Sequence, residues 1–237
     1  MRRNTTHGFP FPMAHYERII GVCYIAVHAI LLYFAADAVL RAVGIYFSPL
    51  KINLIVFIIS AVILLCCLSR YWGASLGGAI KSPFRVIQAL ILGYAFYFFV
   101  RWGINTLIAL FSGQSVAAPE LAAVFEGIRL DTDVMLVVAI VLSPIAEETM
   151  FRGALFGTLR TKSRVAAYIV SALVFSLYRA WPHLAGGNSG AAWVYFLQFL
   201  PASMALCWSY EWSGTMITPA ILHALMNLIS TVSIRVR

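Results

Sequence analysis

Two adjacent glutamates in an apolar stretch are the residues of this sequence best suited to chemistry. Glu147 and Glu148 lie in the run PIAEETMFRG at 144–153, and Arg152 follows Glu148 by four residues. On a helix, residues four apart share a face, so Glu148 and Arg152 can pair, whereas Glu147 points about 100° away. A clamped carboxylate beside an unclamped one can give two acids with different proton affinities. A purely structural ion pair would explain Glu148 and Arg152, but not Glu147.

Two further sets of polar residues recur at four-residue intervals. His223 and Asn227 share one helical face, as do Arg179 and His183 together with Phe175. A histidine and an asparagine that converge in a dry cavity can donate hydrogen bonds to a developing oxyanion. The alternative is that they only join neighbouring helices.

The composition indicates the environment of these residues. Of the 237 residues, 62% are apolar and only 11% are charged, which excludes an ordinary soluble globule and a disordered chain. The net charge is +8, but the basic residues are scattered between apolar runs and form no nucleic-acid-binding stripe. Ionisable groups inside membrane spans cost about 2.5–3.5 kcal/mol each at the helix centre, so they are functional candidates by default.

Apolar segments separated by charges or turn residues predict an all-α fold, a polytopic membrane bundle of about seven to eight transmembrane helices. The least hydrophobic stretch, 112–133, is predicted to be a loop, with room for a surface helix. Basic residues are more numerous beside the segment ends that share a side with the N-terminus, which predicts a multi-pass protein of the cell membrane with a cytoplasmic N-terminus. The two C-terminal arginines conflict with an odd number of spans, and an eighth, re-entrant or split segment would resolve the conflict. The seven segments are 19–40, 52–69, 86–111, 134–159, 165–181, 191–210 and 215–234.

The motifs resemble those of the CAAX prenyl protease/bacteriocin-processing family of intramembrane glutamic endopeptidases. The resemblance rests on Glu147-Glu148-x-x-x-Arg152, on Phe175 as the start of a Phe-x-x-x-(His) motif, and on His223-x-x-x-Asn227. It covers roughly residues 132–234. It implies a catalytic core of four transmembrane helices within 112–237. Residues 1–111 would then form an N-terminal tail and accessory transmembrane helices of the same continuous bundle.

The resemblance also implies a role for each matching residue. Glu147 would be the general base that activates water, supported by Glu148 and Arg152. His223 and Asn227 would form the oxyanion hole. The family's second motif supplies a histidine that assists the base.

The second motif departs from the family pattern. Four residues after Phe175 stands Arg179 instead of histidine, and His183 follows one helical turn later. Counted from the basic segment ends at ~1.5 Å per residue, Glu147, Arg179 and His183 lie at depths of ~20, ~22 and ~28 Å, which favours Arg179. A guanidinium cannot accept a proton, and it would orient Glu147 while weakening it as a base.

These observations predict an intramembrane endopeptidase whose partners are a membrane-anchored protein or peptide substrate and the lipid bilayer, with no nucleic acid and no cofactor. The main alternative, favoured by Arg179, is a catalytically inactive relative that serves as an immunity factor or scaffold. A metal site formed by His183, His223 and Glu147 is a further alternative. A transporter with a path lined by residues such as Asp37 and Arg101 is another.

Overall fold

The computed structural model of the protein describes residues 13–112 and 131–235. Throughout these two ranges the ordered secondary structure is helical, and the all-α bundle predicted from the sequence is confirmed. The eight helices are α1 His15–Ala42, α2 Pro49–Cys67, α3 Ser69–Lys81, α4 Pro83–Ser112, α5 Asp131–Arg160, α6 Arg164–Ala185, α7 Ser189–Ser213 and α8 Ile217–Arg235.

Six of these helices are long and apolar enough to cross a membrane: α1, α2, α4, α5, α6 and α7. Helix α8 carries a shorter apolar stretch, Ile217–Val232. The hydropathy pattern did not predict α3, whose three glycines and polar residues lower its hydropathy. With 13 residues, α3 is about 20 Å long and is too short to span a bilayer. The predicted loop at 112–133 lies mostly outside the described residues, although 131–133 already belong to α5.

Helix α5, which carries both glutamates, is the central element of the bundle. More than half of its apolar window is buried, compared with less than a fifth in α1 and in α4. Two wide, π-helical segments, Val137–Leu142 and Thr149–Phe156, flank the turn that contains Pro144 and the glutamates. Such π-helical turns change the direction of the side chains that follow them and are frequent at functional sites.

The N-terminal helices pack closely on α5. A Cβ on Gly21 of α1 would clash with the Cβ of Ala154, so only glycine permits this approach of the two helices. A Cβ on Gly153 would lie 3.1 Å from the buried ring of Tyr71 in α3. These two contacts fix the position of α5 against α1 and α3.

Candidate active site

The carboxylate of Glu147 is fully buried and accepts hydrogen bonds from side chains of α6 and of α5 itself. Arg179 of α6 donates from Nη2 to Oε2 at 2.7 Å, and the Tyr178 hydroxyl lies 3.4 Å from Oε1. Ser143, one turn earlier on α5, donates to Oε1 at 2.9 Å. Glu147 is therefore held in one orientation, which predicts a positioned carboxylate and not a mobile one.

Glu148 pairs with Arg152 as the four-residue spacing predicted, and it also contacts α8. Arg152 donates from Nη1 to Oε1 of Glu148 at 3.0 Å, and Nδ1 of His223 lies 2.7 Å from the same oxygen. Arg152 also donates to the hydroxyl of Ser203 on α7 at 3.1 Å. Both side chains of the pair are fully buried, so Glu148 and Arg152 join three helices around the site.

His223 has a partner on each ring nitrogen, and these partners identify its tautomer. Nδ1 faces a carboxylate oxygen of Glu148 and is therefore the protonated nitrogen. Nε2 lies 3.0 Å from Nη2 of Arg179, which can only donate, so Nε2 is the acceptor. The same Nε2 is 4.0 Å from Oε2 of Glu147. In this arrangement Arg179, and not His223, presents N–H groups toward Glu147.

Phe175 places the two arginines and the histidine around one aromatic ring. The guanidinium carbon of Arg152 is 4.2 Å from the ring centroid and that of Arg179 is 5.4 Å away. The ring of His223 packs edge-on at 6.1 Å. Cation–π contacts of this kind stabilise desolvated guanidinium groups. The phenylalanine of the second motif thus helps to hold Arg152 and Arg179 in the bundle interior.

The charges of the cluster balance. Two carboxylates, Glu147 and Glu148, face two guanidinium groups, Arg152 and Arg179, around a neutral His223. Such pairing is what permits charges to be buried in a low-dielectric interior. Within this cluster, three buried atoms lack a hydrogen-bond partner among the described residues: Oε2 of Glu148, Nε of Arg152 and Nε of Arg179. Buried polar atoms are usually satisfied by water when protein groups do not reach them.

Asn227 lies one turn beyond His223 on α8 and donates from its amide to the carbonyl of Ala139 at 2.7 Å. The π-helical segment of α5 leaves this carbonyl without a backbone hydrogen-bond donor. There the N–H of Ser143 bonds to the carbonyl of Val138, so in the same register the partner of Ala139 would be residue 144. That residue is Pro144, which has no N–H. Asn227 satisfies the carbonyl that the proline leaves unpaired.

His183 is not part of the cluster. Its ring packs at a tilt against that of Tyr195 of α7, with the centroids 4.0 Å apart. Pro182 does not end the helix, which continues to Ala185, but the extra turn carries His183 past the level of Glu147. Arg179 therefore occupies the second-motif position beside Glu147. Nowhere in residues 13–112 and 131–235 do three His, Cys, Asp or Glu side chains come together as metal ligands, so the metal site that included His183 has no structural support.

Three hydroxyl groups at the site were not singled out in the sequence: those of Ser143, Tyr178 and Ser203. Ser143 could have been found, because it precedes Glu147 by four residues and so shares its face. Tyr178 directly precedes Arg179, and only the crossing of α6 over α5 brings both side chains to Glu147. Ser203 reaches Arg152 from α7, a contact over 51 positions that no local pattern indicates.

Comparisons with known proteins cover the same part of the chain as this cluster. Residues 130–229 match the family described as type II CAAX prenyl endopeptidase Rce1-like. The UPF0177 protein YxdF of Lactococcus lactis subsp. lactis (strain IL1403) is 30% identical over 88 residues, which is 37% of this chain and 43% of that relative. No solved structure matches the chain significantly. The resemblance drawn from the motifs is confirmed: residues 130–229 of this multi-pass membrane protein match the Rce1-like family of CAAX-type proteases.

Proposed function

We propose that the protein is an intramembrane endopeptidase in which Glu147 activates water to hydrolyse a peptide bond of a membrane-associated protein or peptide. The observation that carries the proposal is the convergence of Glu147 of α5, Arg179 of α6 and His223 of α8 within 4.0 Å. The match of this region to a protease family supports the same reaction class. The carboxylate can accept a proton from water, and the adjacent cationic donor can stabilise the negative charge that develops on the carbonyl oxygen.

The proposed reaction gives each group of the cluster one role. Glu147 takes a proton from a water molecule, whose oxygen bonds to the scissile carbonyl carbon. The carbonyl electron pair moves to oxygen, where N–H groups of Arg179 stabilise the negative charge. Glu147 then passes its proton to the leaving amine as the C–N bond breaks. Glu148 acts through His223, whose Nδ1–H it accepts, and His223 in turn positions Arg179.

This scheme differs from the roles implied by the family in its oxyanion donor. Nε2 of His223 accepts a hydrogen bond from Arg179, and the amide of Asn227 donates to the backbone of α5. Arg179 is therefore the better-placed donor, and Asn227 is proposed to position α8 against α5.

Water reaches Glu147 in this scheme only when Arg179 moves. The side chain of Glu147 is fully buried, whereas that of Arg179 is 24% exposed. The guanidinium of Arg179 also packs on Phe199 of α7 at 5.2 Å. We propose that a substrate carbonyl, arriving from the bilayer, draws the guanidinium away from Glu147 and so admits water.

A second candidate function is that of a catalytically inactive relative acting as an immunity factor or scaffold in the membrane. The observation that favours it is the same ion pair, because Arg179 replaces the expected histidine and covers the carboxylate of Glu147. The two candidates predict opposite effects of Arg179→His. For a working endopeptidase the substitution removes the charged donor and lowers cleavage, whereas for an inactive relative it leaves the absence of cleavage unchanged or restores activity.

The experiment compares purified protein variants in proteoliposomes with two quenched fluorogenic peptides, one ending in a farnesylated CAAX sequence and one identical but unprenylated. We expect wild-type protein to cleave at least one peptide and Glu147→Gln to cleave neither. Asp37→Asn is the matched control, since Asp37 is also a helical carboxylate paired with an arginine, at 2.9 Å to Arg41, but lies at the exposed surface of α1. If the wild-type protein cleaves neither peptide, the second candidate is favoured. If wild-type protein and Glu147→Gln cleave a peptide equally fast, the proposed mechanism is refuted.

The arrangement in the membrane is part of the proposal. The distribution of basic residues supports a cytoplasmic N-terminus, and we propose that residues 112–237 form the catalytic core while 1–111 contribute accessory helices. Modification of single introduced cysteines with a membrane-impermeant maleimide, in whole cells and in inverted vesicles, tests the orientation. Labelling of a cysteine at position 2 only in inverted vesicles is the expected result.

A further inference from the structure

The first helix, which lies outside the segment that matches the family, contributes a buried histidine next to the candidate site. His28 of α1 is only 6% exposed. Its Nε2 lies 3.1 Å from the hydroxyl of Tyr178, and that hydroxyl lies 3.4 Å from Oε1 of Glu147. A chain of polar groups therefore runs from Glu147 through Tyr178 to His28.

The partners on the far side of His28 determine where its proton resides. The hydroxyl of Ser60 on α2 donates to the carbonyl of Val56 at 2.8 Å, which uses the one hydrogen that it has. Ser60 can then only accept, and it does so from the Tyr24 hydroxyl at 3.1 Å and from Nδ1 of His28 at 2.8 Å. Nδ1 of His28 is therefore protonated, and Nε2 is the bare nitrogen that faces Tyr178.

Tyr178 has one hydroxyl hydrogen and two acceptors for it. With Glu147 ionised, both Oε1 of Glu147 and Nε2 of His28 compete for that hydrogen. When Glu147 carries a proton, the carboxyl group can donate to the tyrosine oxygen while Tyr178 donates to His28. Both hydrogen bonds, from Glu147 to Tyr178 and from Tyr178 to His28, then have their hydrogen. With Glu147 ionised, only one of the two can form.

We propose that His28 is a positioning residue of the candidate active site, acting on Glu147 through the hydroxyl of Tyr178. The inference rests on the proposed function, because the protonated form that the chain accommodates is the one that Glu147 reaches after taking a proton from water. Arg179 donates to Oε2 of Glu147, whereas His28 acts through Tyr178 on the other oxygen, Oε1. An accessory helix thus supplies an imidazole where the second motif lacks one.

The rings along this chain are fixed by packing. The ring of His28 lies 5.0 Å from that of Phe57 and 5.9 Å from that of Tyr178. Tyr178 in turn packs against Phe151 of α5 at 5.2 Å. Groups held in this way keep their hydrogen-bond geometry while a proton is gained or lost at Glu147, which is what a positioning role requires.

A spectroscopic test needs no substrate. Solid-state NMR of the full chain in lipid bilayers, with ¹⁵N-labelled histidine, reports the tautomer of each imidazole, and a His28→Gln sample identifies the signal of His28. We expect the Nδ1–H tautomer. Glu147→Gln should shift the Nε2 signal of His28 to lower frequency, because the amide mimics the protonated carboxyl group and leaves the Tyr178 hydrogen to His28. Asp37→Asn should not shift it, and Tyr178→Phe should abolish the effect of Glu147→Gln. An Nε2–H tautomer, or a His28 signal indifferent to Glu147→Gln, would overturn the proposal.

A kinetic test uses the peptide that the wild-type protein cleaves. We expect His28→Leu and Tyr178→Phe each to lower kcat about tenfold with KM unchanged, and the double variant to be no worse than either single one, because both break the same chain. His28→Gln should recover most of kcat, since an amide can also donate to Ser60 and accept from Tyr178. Wild-type kcat in His28→Leu, additive losses in the double variant, or no recovery in His28→Gln would each contradict the role.

The two tests separate this inference from the proposed function. If no variant cleaves either peptide but the His28 signal responds to Glu147→Gln through Tyr178, the endopeptidase proposal fails and the coupling stands. If wild-type protein cleaves and Glu147→Gln does not, while the His28 signal and His28→Leu kinetics are unchanged, the inference about His28 fails alone.

Discussion

Two clusters in this protein combine a glutamate, a tyrosine and arginine, yet they differ in what they can do. In the candidate site, Glu147 accepts from Arg179 and contacts Tyr178. In the second cluster, Glu211 near the end of α7 is the shared acceptor. It bonds to Arg160 at 2.5 Å, to Tyr168 at 2.6 Å and to Arg164 at 3.1 Å.

The difference lies in the second acceptor for the tyrosine hydrogen. The Tyr168 hydroxyl donates to Glu211, and no further acceptor is seen for it among the described residues. The Tyr178 hydroxyl lies between Glu147 and His28, and Glu147 also has His223 within 4.0 Å. The Glu211 cluster fastens α5 and α6 to α7. The Glu147 cluster can change its pattern of hydrogen bonds when a proton arrives.

The comparison is tested most strongly by the same substitution at both carboxylates. We expect Glu147→Gln to lower the cleavage rate by about 10²–10⁴-fold, the range for loss of a general base, and also to lower Tm, because Arg179 loses its charged acceptor. Glu211→Gln should lower the free energy of unfolding by about 1–3 kcal/mol for the same reason, but should leave the cleavage rate within about twofold of wild type. Peptide cleavage and thermal unfolding in the same detergent measure both effects, and an equal loss of activity in the two variants would erase the distinction.

Arg152→Met tests the charge balance of the site. It leaves Glu148 buried without its guanidinium partner, and we expect the free energy of unfolding to fall by about 3–5 kcal/mol. Adding Glu148→Gln should recover part of this loss, because it removes the uncompensated charge. Arg41→Met, which breaks an exposed pair with Asp37, should have little effect. Reversible unfolding in mixed micelles gives the four values, and equal effects at positions 152 and 41 would contradict the importance of burial.

A smaller effect is expected where α1 approaches α5. Gly21→Ala places a methyl group against the Cβ of Ala154, and we expect a loss of about 1–3 kcal/mol in the free energy of unfolding. Gly77→Ala in α3, where nothing lies within 4 Å of the added group, should stabilise the protein by up to about 1 kcal/mol. If both substitutions act alike, helix propensity and not the contact of α1 with α5 determines the result. Loss of cleavage in Gly21→Ala would in addition connect this contact to the position of His28.

The sequence predicted well those features that depend on local periodicity. The apolar segments became helices, and the four-residue spacing of Glu148 and Arg152 became an ion pair at 3.0 Å. Counting residues from the segment ends favoured Arg179 over His183 as the neighbour of Glu147, and Arg179 is the one found there. Helix α3 was missed because hydropathy does not mark a short, glycine-rich helix.

Contacts between distant helices were beyond the reach of local patterns. Tyr178 reaches His28 over 150 positions, and nothing in the residues around either one indicates the contact. The bond from Asn227 to Ala139 depends on a π-helical register that leaves one carbonyl opposite Pro144. The proline was recognisable in the sequence, but the helix that would satisfy the freed carbonyl was not.

If the water activated by Glu147 attacks the scissile carbonyl without a covalent intermediate, single-turnover cleavage in H₂¹⁸O places the label in the first product. With protein in excess over the cleaved peptide, we expect one ¹⁸O atom in the new carboxyl group of the product from wild-type protein, and product formation about 10²–10⁴-fold slower with Glu147→Gln. A first-turnover product that contains only ¹⁶O, or labelled product formed by Glu147→Gln at the wild-type rate, would contradict this mechanism.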